Sequence, residues 1–205
     1  MDFNLPKQSE VNKFIAKSKF SNFATINSKI KQSFTDKIQK ITWRYKLAES
    51  TINVSGNEST EEIQIFEIEL KEKEIPKNVL GVIDKSIPYP ILYVFKYQND
   101  IAYGITLKNE GLKRYYFSDW NEVLNFDFVG TNLEQVYQKL VRVFIEKEVK
   151  TEHSFENLVS LDIQKEKLHR DISALENKVK NEKQFKKQVE IHKQLKEKKK
   201  ELESL

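Results

Sequence analysis

The spacing of apolar positions predicts helices at the start of the chain, strands in its middle and helices again to its end. Val11, Phe14 and Ile15 fall at helical spacing behind Ser9, and Pro6 bars an earlier continuous helix, so a short first helix capped by Ser9 is expected. From Ser28 onward, Ile30, Phe34, Ile38, Ile41 and Tyr45 step by four, four, three and four, which is the stripe of an amphipathic helix. One flank of that stripe holds Lys37 and Arg44, with Lys29 and Lys40 further round. Ile41, Trp43, Tyr45 and Leu47 also alternate with Thr42, Arg44 and Lys46, the period of a strand. The helix is therefore expected to about Lys40, and the next turn stays open between the two forms.

Thr51-Ile52-Asn53-Val54 is a short β-like run ended by Ser55-Gly56-Asn57. Ile63, Ile65, Ile68 and Leu70, with Glu67, Glu69 and Lys71 between them, read as a strand in which Phe66 marks a possible bulge. Pro76 opens a helix with Val79, Leu80, Val82 and Ile83, because a proline in the first turn gives up no needed donor; Pro88 and Pro90 end it. Ile91-Leu92-Tyr93-Val94-Phe95 is apolar throughout, as in a strand covered on both faces, and Gln98-Asn99-Asp100 turns it into Ile101 to Leu107. Lys113 to Phe117 follows the Asn109-Glu110-Gly111 turn as a third strand. Thr131-x-x-Glu134 has the form of a capping box ahead of Leu133, Val136, Tyr137, Leu140, Val143 and Phe144. The fold class expected is α+β: a small antiparallel β-meander flanked by helices, in a globular domain over 1–150.

Beyond it, residues 151–205 lose glycine and proline altogether. Leu161, Leu168 and Leu175 recur every seven residues, with Leu158, Ile172 and Val179 at the offset of a second seam position, which predicts a long helical coiled-coil arm. The seam then slips, since Glu182 and Lys186 take the next positions and Ile191, Leu195, Leu202 and Leu205 follow another phase. Either a stutter keeps one rod, roughly 75 Å long at ~1.5 Å per residue, or the chain folds back near 177–181 into a helical hairpin. Leu161, Leu168, Ile172, Leu175 and Val179 are the candidate residues for pairing with a partner or with a second copy of the chain.

Composition narrows the classes. The 205 residues hold 39% hydrophobic and 32% charged residues with a mean hydropathy of −0.63, and 13 Phe and 8 Tyr suffice for a core. No apolar run approaches the ~18 residues of a membrane span, and the start has no basic stretch leading into an apolar one, so a cytoplasmic protein without membrane contact is expected. Zero cysteines exclude disulfides, thiolate zinc sites and cysteine nucleophiles. The net charge of +4 is segregated: +6 over 1–50, −5 over 51–149 and +3 over 150–205. Basic ends around an acidic middle suit a nucleic-acid footprint, although lysine is also an ordinary solubilising residue.

Glycines at 56, 81, 104, 111 and 130 build no phosphate-binding loop or nucleophile elbow, so no cofactor is expected. His153, His169 and His192 are too far apart along a helix to share a metal, and no metal site is assigned. Glu69-Leu70-Lys71 matches the E-x-K half of a metal-dependent nuclease core, in which carboxylates hold Mg²⁺ and the lysine positions water, but only Asp84 stands near as a second carboxylate. Trp43-Arg44-Tyr45-Lys46 and Lys113-Arg114-Tyr115-Tyr116-Phe117 interleave cations with rings, as surfaces that hold phosphates and stack bases do; rings on strands also pack in sheets. The candidate nucleic-acid contacts are Lys37, Lys40, Arg44, Lys113 and Arg114.

Asn4-Leu5-Pro6-Lys7, Phe34-Thr35-Asp36, the run from Ile41 to Leu47, Ile63-Gln64-Ile65-Phe66, the run from Val82 to Leu92 and Glu182-Lys183-Gln184-Phe185 together resemble the bacterial domains of unknown function numbered family 4391. The resemblance spans nearly the whole chain and carries no assigned catalytic residue. It implies an accessory protein encoded beside helicases and DNA methyltransferases of restriction or phage-defence islands. The expectation is thus a non-enzymatic interaction subunit that docks a helicase or methyltransferase and contacts DNA. Its alternatives are a structural scaffold paired through its tail and a divergent nuclease using Glu69 and Lys71.

Overall fold

The computed structural model describes residues 3–23, 26–109, 112–145 and 154–205. The chain divides into two compact units, Met1–Glu146 and Lys147–Leu205. In the first, a 3-10 turn (Lys7–Ser9) leads into β1 (Glu10–Phe14), α1 (Lys17–Phe23), α2 (Ser28–Lys37), β2 (Ile38–Leu47), α3 (Glu49–Ile52), β3 (Ile63–Leu70), α4 (Lys77–Ser86), β4 (Ile91–Tyr97), β5 (Asp100–Asn109), β6 (Leu112–Phe117) and α5 (Leu133–Ile145). The sheet has six strands in chain order. All neighbours are antiparallel except β3 and β4, which run parallel because α4 carries the chain back across the sheet between them. The α+β class holds, but the sheet is a larger and mixed one rather than a small antiparallel meander.

Three local expectations change. Val11 and Phe14 belong to a strand, because β1 pairs with β2, Lys13 against Trp43 and Phe14 against Thr42. The first helix starts later, at Lys17. Thr51 and Ile52 close the one-turn helix α3, in which the Thr51 hydroxyl accepts from the Ala48 amide at 2.9 Å and donates to the Lys46 carbonyl at 2.7 Å; the β-like run is local composition overridden by this turn. The long stripe from Ile30 breaks at Lys37, and the strand alternative takes over from Ile38. Asn27 caps α2 by accepting from the Ile30 amide at 2.9 Å.

Two register shifts in β2 explain why its period was ambiguous. Pairing with β3 skips Gln39 and Arg44, so each stands as an extra residue on β2. Ile38 and Ile41, three apart, therefore both enter the core shared with α2 and α4. Trp43 joins the same side, whereas Tyr45 packs its ring edge-on against Phe3 in a cluster that continues to Phe126 and Phe144 of α5. The Trp43 indole N–H donates to the Tyr45 carbonyl at 3.0 Å across the bulge. β3 itself is regular through Phe66, with Gln64, Phe66, Ile68 and Leu70 on one face. The bulge expected at Phe66 lies on its partner strand.

The core is two-sided. One layer, under α1, α2 and α4, gathers Phe34, Ile41, Phe66, Leu80, Ile83, Tyr93 and Phe95. The other lies under α5, whose Leu133, Val136, Leu140 and Val141 are wholly buried and whose Tyr137 hydroxyl donates to the Thr106 carbonyl at 2.6 Å. α5 starts from Asn132, which accepts from the Gln135 amide at 2.8 Å; Glu134, expected in a box with Thr131, instead takes a hydrogen bond from the Asn57 side chain.

The second unit consists of α6 (Phe155–Asn181) and α7 (Phe185–Glu203). Ser154 caps α6 by accepting from the Asn157 amide. The helices pack side by side and antiparallel: Lys199 pairs with Glu176 at 2.8 Å and the Gln188 side chain donates to the Val179 carbonyl at 3.2 Å. The tail is therefore a hairpin broken at Glu182-Lys183-Gln184, and not one long coiled-coil arm. The slip in the heptad seam marks the reversal.

Candidate functional site

The cations expected to meet nucleic acid do not share one helix flank. Lys37 ends α2 and pairs with Glu74 at 2.7 Å and Glu72 at 3.7 Å; these acids, its hydrogen bond to Glu74 first, raise its pKa. Lys40 lies on β2 and pairs with Glu69 on β3 at 3.4 Å. Arg44 is the bulged residue of β2, its guanidinium 5.8 Å from the Tyr45 ring centre, and Arg114 lies over Tyr116 on β6 at 5.1 Å. Lys113 pairs its backbone with Lys108, and its side chain lies outside the described set. Two of the five positions are thus already engaged with carboxylates, and two hold guanidinium groups over tyrosine rings.

The E-x-K triplet closes β3, but the carboxylate expected beside it, Asp84, is engaged elsewhere. Glu69 faces Lys40, and the Lys71 ammonium donates to the Thr35 carbonyl at 2.7 Å. Asp84 is 5% exposed inside the core and serves another role: it accepts from the Tyr93 hydroxyl at 2.9 Å, from Thr106 at 3.1 Å and from the Tyr115 hydroxyl. One carboxylate on α4 thereby fastens that helix to β4, β5 and β6. Burial first, and the Asp84 carboxylate second, push the Tyr93 hydroxyl well above the usual tyrosine range; burial and the bond to Asp84 push Tyr115 up also. Among the described residues no three His, Asp or Glu side chains gather where they could hold a metal ion. His153 lies outside them.

Sequence reasoning missed a cavity of about 310 Å³ on the α1 and α4 side of the sheet. Phe20 of α1, Trp43 of β2 and Phe66 of β3 form its walls, together with Ile87 and Tyr89 from the segment joining α4 to β4. Trp43 reaches it because the extra residue Arg44 separates it from Tyr45 in facing. Gln64 lines it too, at 3% exposure, pairing with Lys46 on one side and Ile91 on the other. Its Nε2 donates to Glu62 at 2.9 Å, and Glu62 is ion-paired with Lys46. Its Oε1 is buried and has no donor facing it, alone among the described buried side-chain polar atoms. A polar residue in the apolar alternation of β3 was the signal available in the sequence.

In the hairpin, Leu168 and Ile172 are buried, and Leu195 from α7 joins the buried set. Leu161, Leu175 and Val179 are half-buried. Near the reversal Phe185 is 77% exposed and Val189 53% exposed, and Val189 shares a shallow depression with Val179, Gln188 and His192. Two of the five expected pairing residues are thus buried and three half-buried, and the most exposed large apolar side chains of the hairpin, Phe185 and Val189, lie on the first turns of α7. Among the described residues, no helix is long and apolar enough to cross a membrane.

A family model described as Domain of unknown function (DUF4391) matches residues 3–202. No curated protein and no solved structure matches the chain.

Proposed function

The chain belongs to the DUF4391 family, and from that premise we propose a non-enzymatic accessory subunit that docks a helicase or DNA methyltransferase of a restriction or phage-defence system through its helical hairpin. The observation that carries the docking is Phe185, 77% exposed at the start of α7, with Val189 one turn on. An aromatic ring held in water on a short, charged hairpin is the kind of anchor on which protein interfaces concentrate their energy. The family's expected gene neighbourhood supplies the kind of partner. DNA contact rests on Arg44, whose guanidinium group lies over the Tyr45 ring, while Lys37 and Lys40 would first have to leave their acidic partners.

Pull-down of the tagged chain from its host, with nuclease treatment, tests the docking. A helicase or methyltransferase is expected in the eluate of the unaltered chain and is expected to be absent from that of a Phe185→Glu, Val189→Glu double variant. Retention of the same partner by both proteins, or its loss on nuclease treatment, sinks the proposal. Charge reversal at Arg44 is expected to flatten the dependence of DNA affinity on salt; an unchanged slope refutes the contact.

A further inference from the structure

We propose that the partner docked by the hairpin presents an acidic amphipathic helix, and that α7 receives it along one stripe: Phe185, Lys186, Val189, Lys193, Lys196 and Lys200. The inference rests on the docking reading above and gives that partner its chemistry. At ~3.6 residues per turn these six positions fall within about 100° of arc. All six are exposed, and the stripe is turned from the side on which Leu195 is buried. It is apolar at its start, where Phe185 is 77% and Val189 53% exposed, and cationic over the rest, with Glu203 its one acid.

The cations of this stripe are unanswered. Lys198 and Lys199, on other sides of the same helix, pair with Glu201 and Glu176 at 2.8 Å each. Among the described residues, no carboxylate lies within ion-pairing distance of Lys186, Lys193, Lys196 or Lys200. Lys193, Lys196 and Lys200 follow one another at spacings of three and four, where like charges face each other along a helix and weaken it. A carboxylate laid against each replaces that repulsion by attraction. A segment that offers carboxylates at the same spacing is itself helical, and apolar side chains one or two turns along it meet Phe185 and Val189. A broad phosphate surface fits less well. The flank beside the stripe carries exposed Glu190 and Glu197, which repel phosphates but stand clear of a helix that touches the stripe alone.

The test uses the full-length chain and the helicase or methyltransferase retained in the nuclease-treated pull-down. Carbodiimide, which joins a lysine amine to a carboxylate in direct contact, is applied to that complex, and the linked peptides are identified by mass spectrometry. The link between Lys199 and Glu176 shows that the reaction has worked. Links from Lys193, Lys196 or Lys200 to partner Asp or Glu residues spaced three or four apart are expected. They are read on the unaltered chain and do not depend on how a variant folds. A Lys193→Glu, Lys196→Glu, Lys200→Glu triple variant is expected to bind the partner at least about tenfold more weakly, the sum of three exposed charge pairs. Exchange of the linked partner acids for lysine should restore most of that loss. Links confined to the chain itself or to a second copy of it overturn the proposal, as does a triple variant that loses affinity for duplex DNA but not for the partner. If the triple variant keeps the partner while the Phe185→Glu, Val189→Glu variant loses it, docking by the hairpin stands and the acidic helix is refuted. Recovery of no such partner refutes both.

Discussion

Replacing Asp84 by alanine removes the acceptor shared by three hydroxyl groups. Tyr93 and Thr106 are 0% exposed, so their hydroxyls lose a partner where water cannot substitute, at about 1–3 kcal/mol each. Tyr115 is only half-buried and recovers part of its loss by turning to solvent. The expected cost is roughly 2–5 kcal/mol, a large share of the ~5–15 kcal/mol that holds a domain together. Urea unfolding followed by tryptophan fluorescence isolates this effect, because Trp43 and Trp120 both belong to the first unit. The midpoint should fall with the slope unchanged. Asp84→Asn, which keeps a carbonyl acceptor in the same shape, should cost less than alanine. In a Tyr93→Phe background, where one donor is gone, Asp84→Ala should cost at least about 1 kcal/mol less than in the wild type. A cost under 1 kcal/mol for the single change, or strict additivity of the pair, would refute the claim that these hydroxyls depend on Asp84.

The same network sets an alkaline limit. Tyr93 and Tyr115 keep their protons in the folded state beyond the ~10 of an unfolded tyrosine, so above about pH 10 the unfolded chain binds fewer protons and stability falls as pH rises; Tyr93 by itself gives a slope of about 1.4 kcal/mol per pH unit, and denaturant midpoints measured from pH 8 to 11 should show it. Gly104→Ala should destabilise by ~1–3 kcal/mol in the same assay, since a Cβ there meets the rings of Phe117 at 2.8 Å and Phe95 at 2.9 Å; a neutral result would mean that the rings yield freely. The hairpin is open to electron-spin distance measurement, because the chain has no cysteine to compete with labels at Glu176→Cys and Lys199→Cys. Labels should lie close together, as the ion pair requires, whereas a continuous rod would hold them about 35 Å apart.

Where one strong period ruled a segment, the sequence was enough. β4 reads as a strand from five consecutive apolar residues, all of them buried, and α5 from a stripe that meets the sheet at Leu133, Val136 and Leu140. Where two periods overlapped, tertiary pairing decided. Ile38 continues the helical stripe of α2 as well as it opens β2, and its pairing with Leu70 of β3, thirty-two residues on, is not written into its neighbours. β1 failed for the same reason: Val11, Phe14 and Ile15 are spaced like a helix, and only the edge of β2 holds them extended. The tail shows the reverse case, in which a loss of pattern was the message. Polar residues at the seam positions of Glu182 and Lys186 mark where the chain turns back, and the apolar residues after it belong to a second helix with its own phase.

The cavity escaped notice because nothing in a linear pattern brings Trp43, Gln64 and Tyr89 together. The strand alternative left open by the sequence put Trp43 and Tyr45 on one face, since both alternate with charged residues. One extra residue, Arg44, breaks that equivalence and sends Tyr45 to the α5 layer and Trp43 to the α4 layer. Gln64 then lies two residues from Phe66 on the same face, and the parallel pairing of β3 with β4 brings the end of the α4 crossover beside it, the Gln64 backbone N–H donating to the Pro90 carbonyl at 2.9 Å. A bulge and a crossover, neither encoded by hydrophobic period, thus bring Gln64 to the same cavity wall as Trp43, Phe66 and Tyr89. The basic and aromatic run from Trp43 to Lys46 drew attention as a surface for nucleic acid, yet its members divide among three duties: Trp43 walls the cavity, Tyr45 packs in the opposite layer, and Lys46 holds Glu62, which holds Gln64. Arg44, the extra residue that causes this division, lies over the ring of Tyr45.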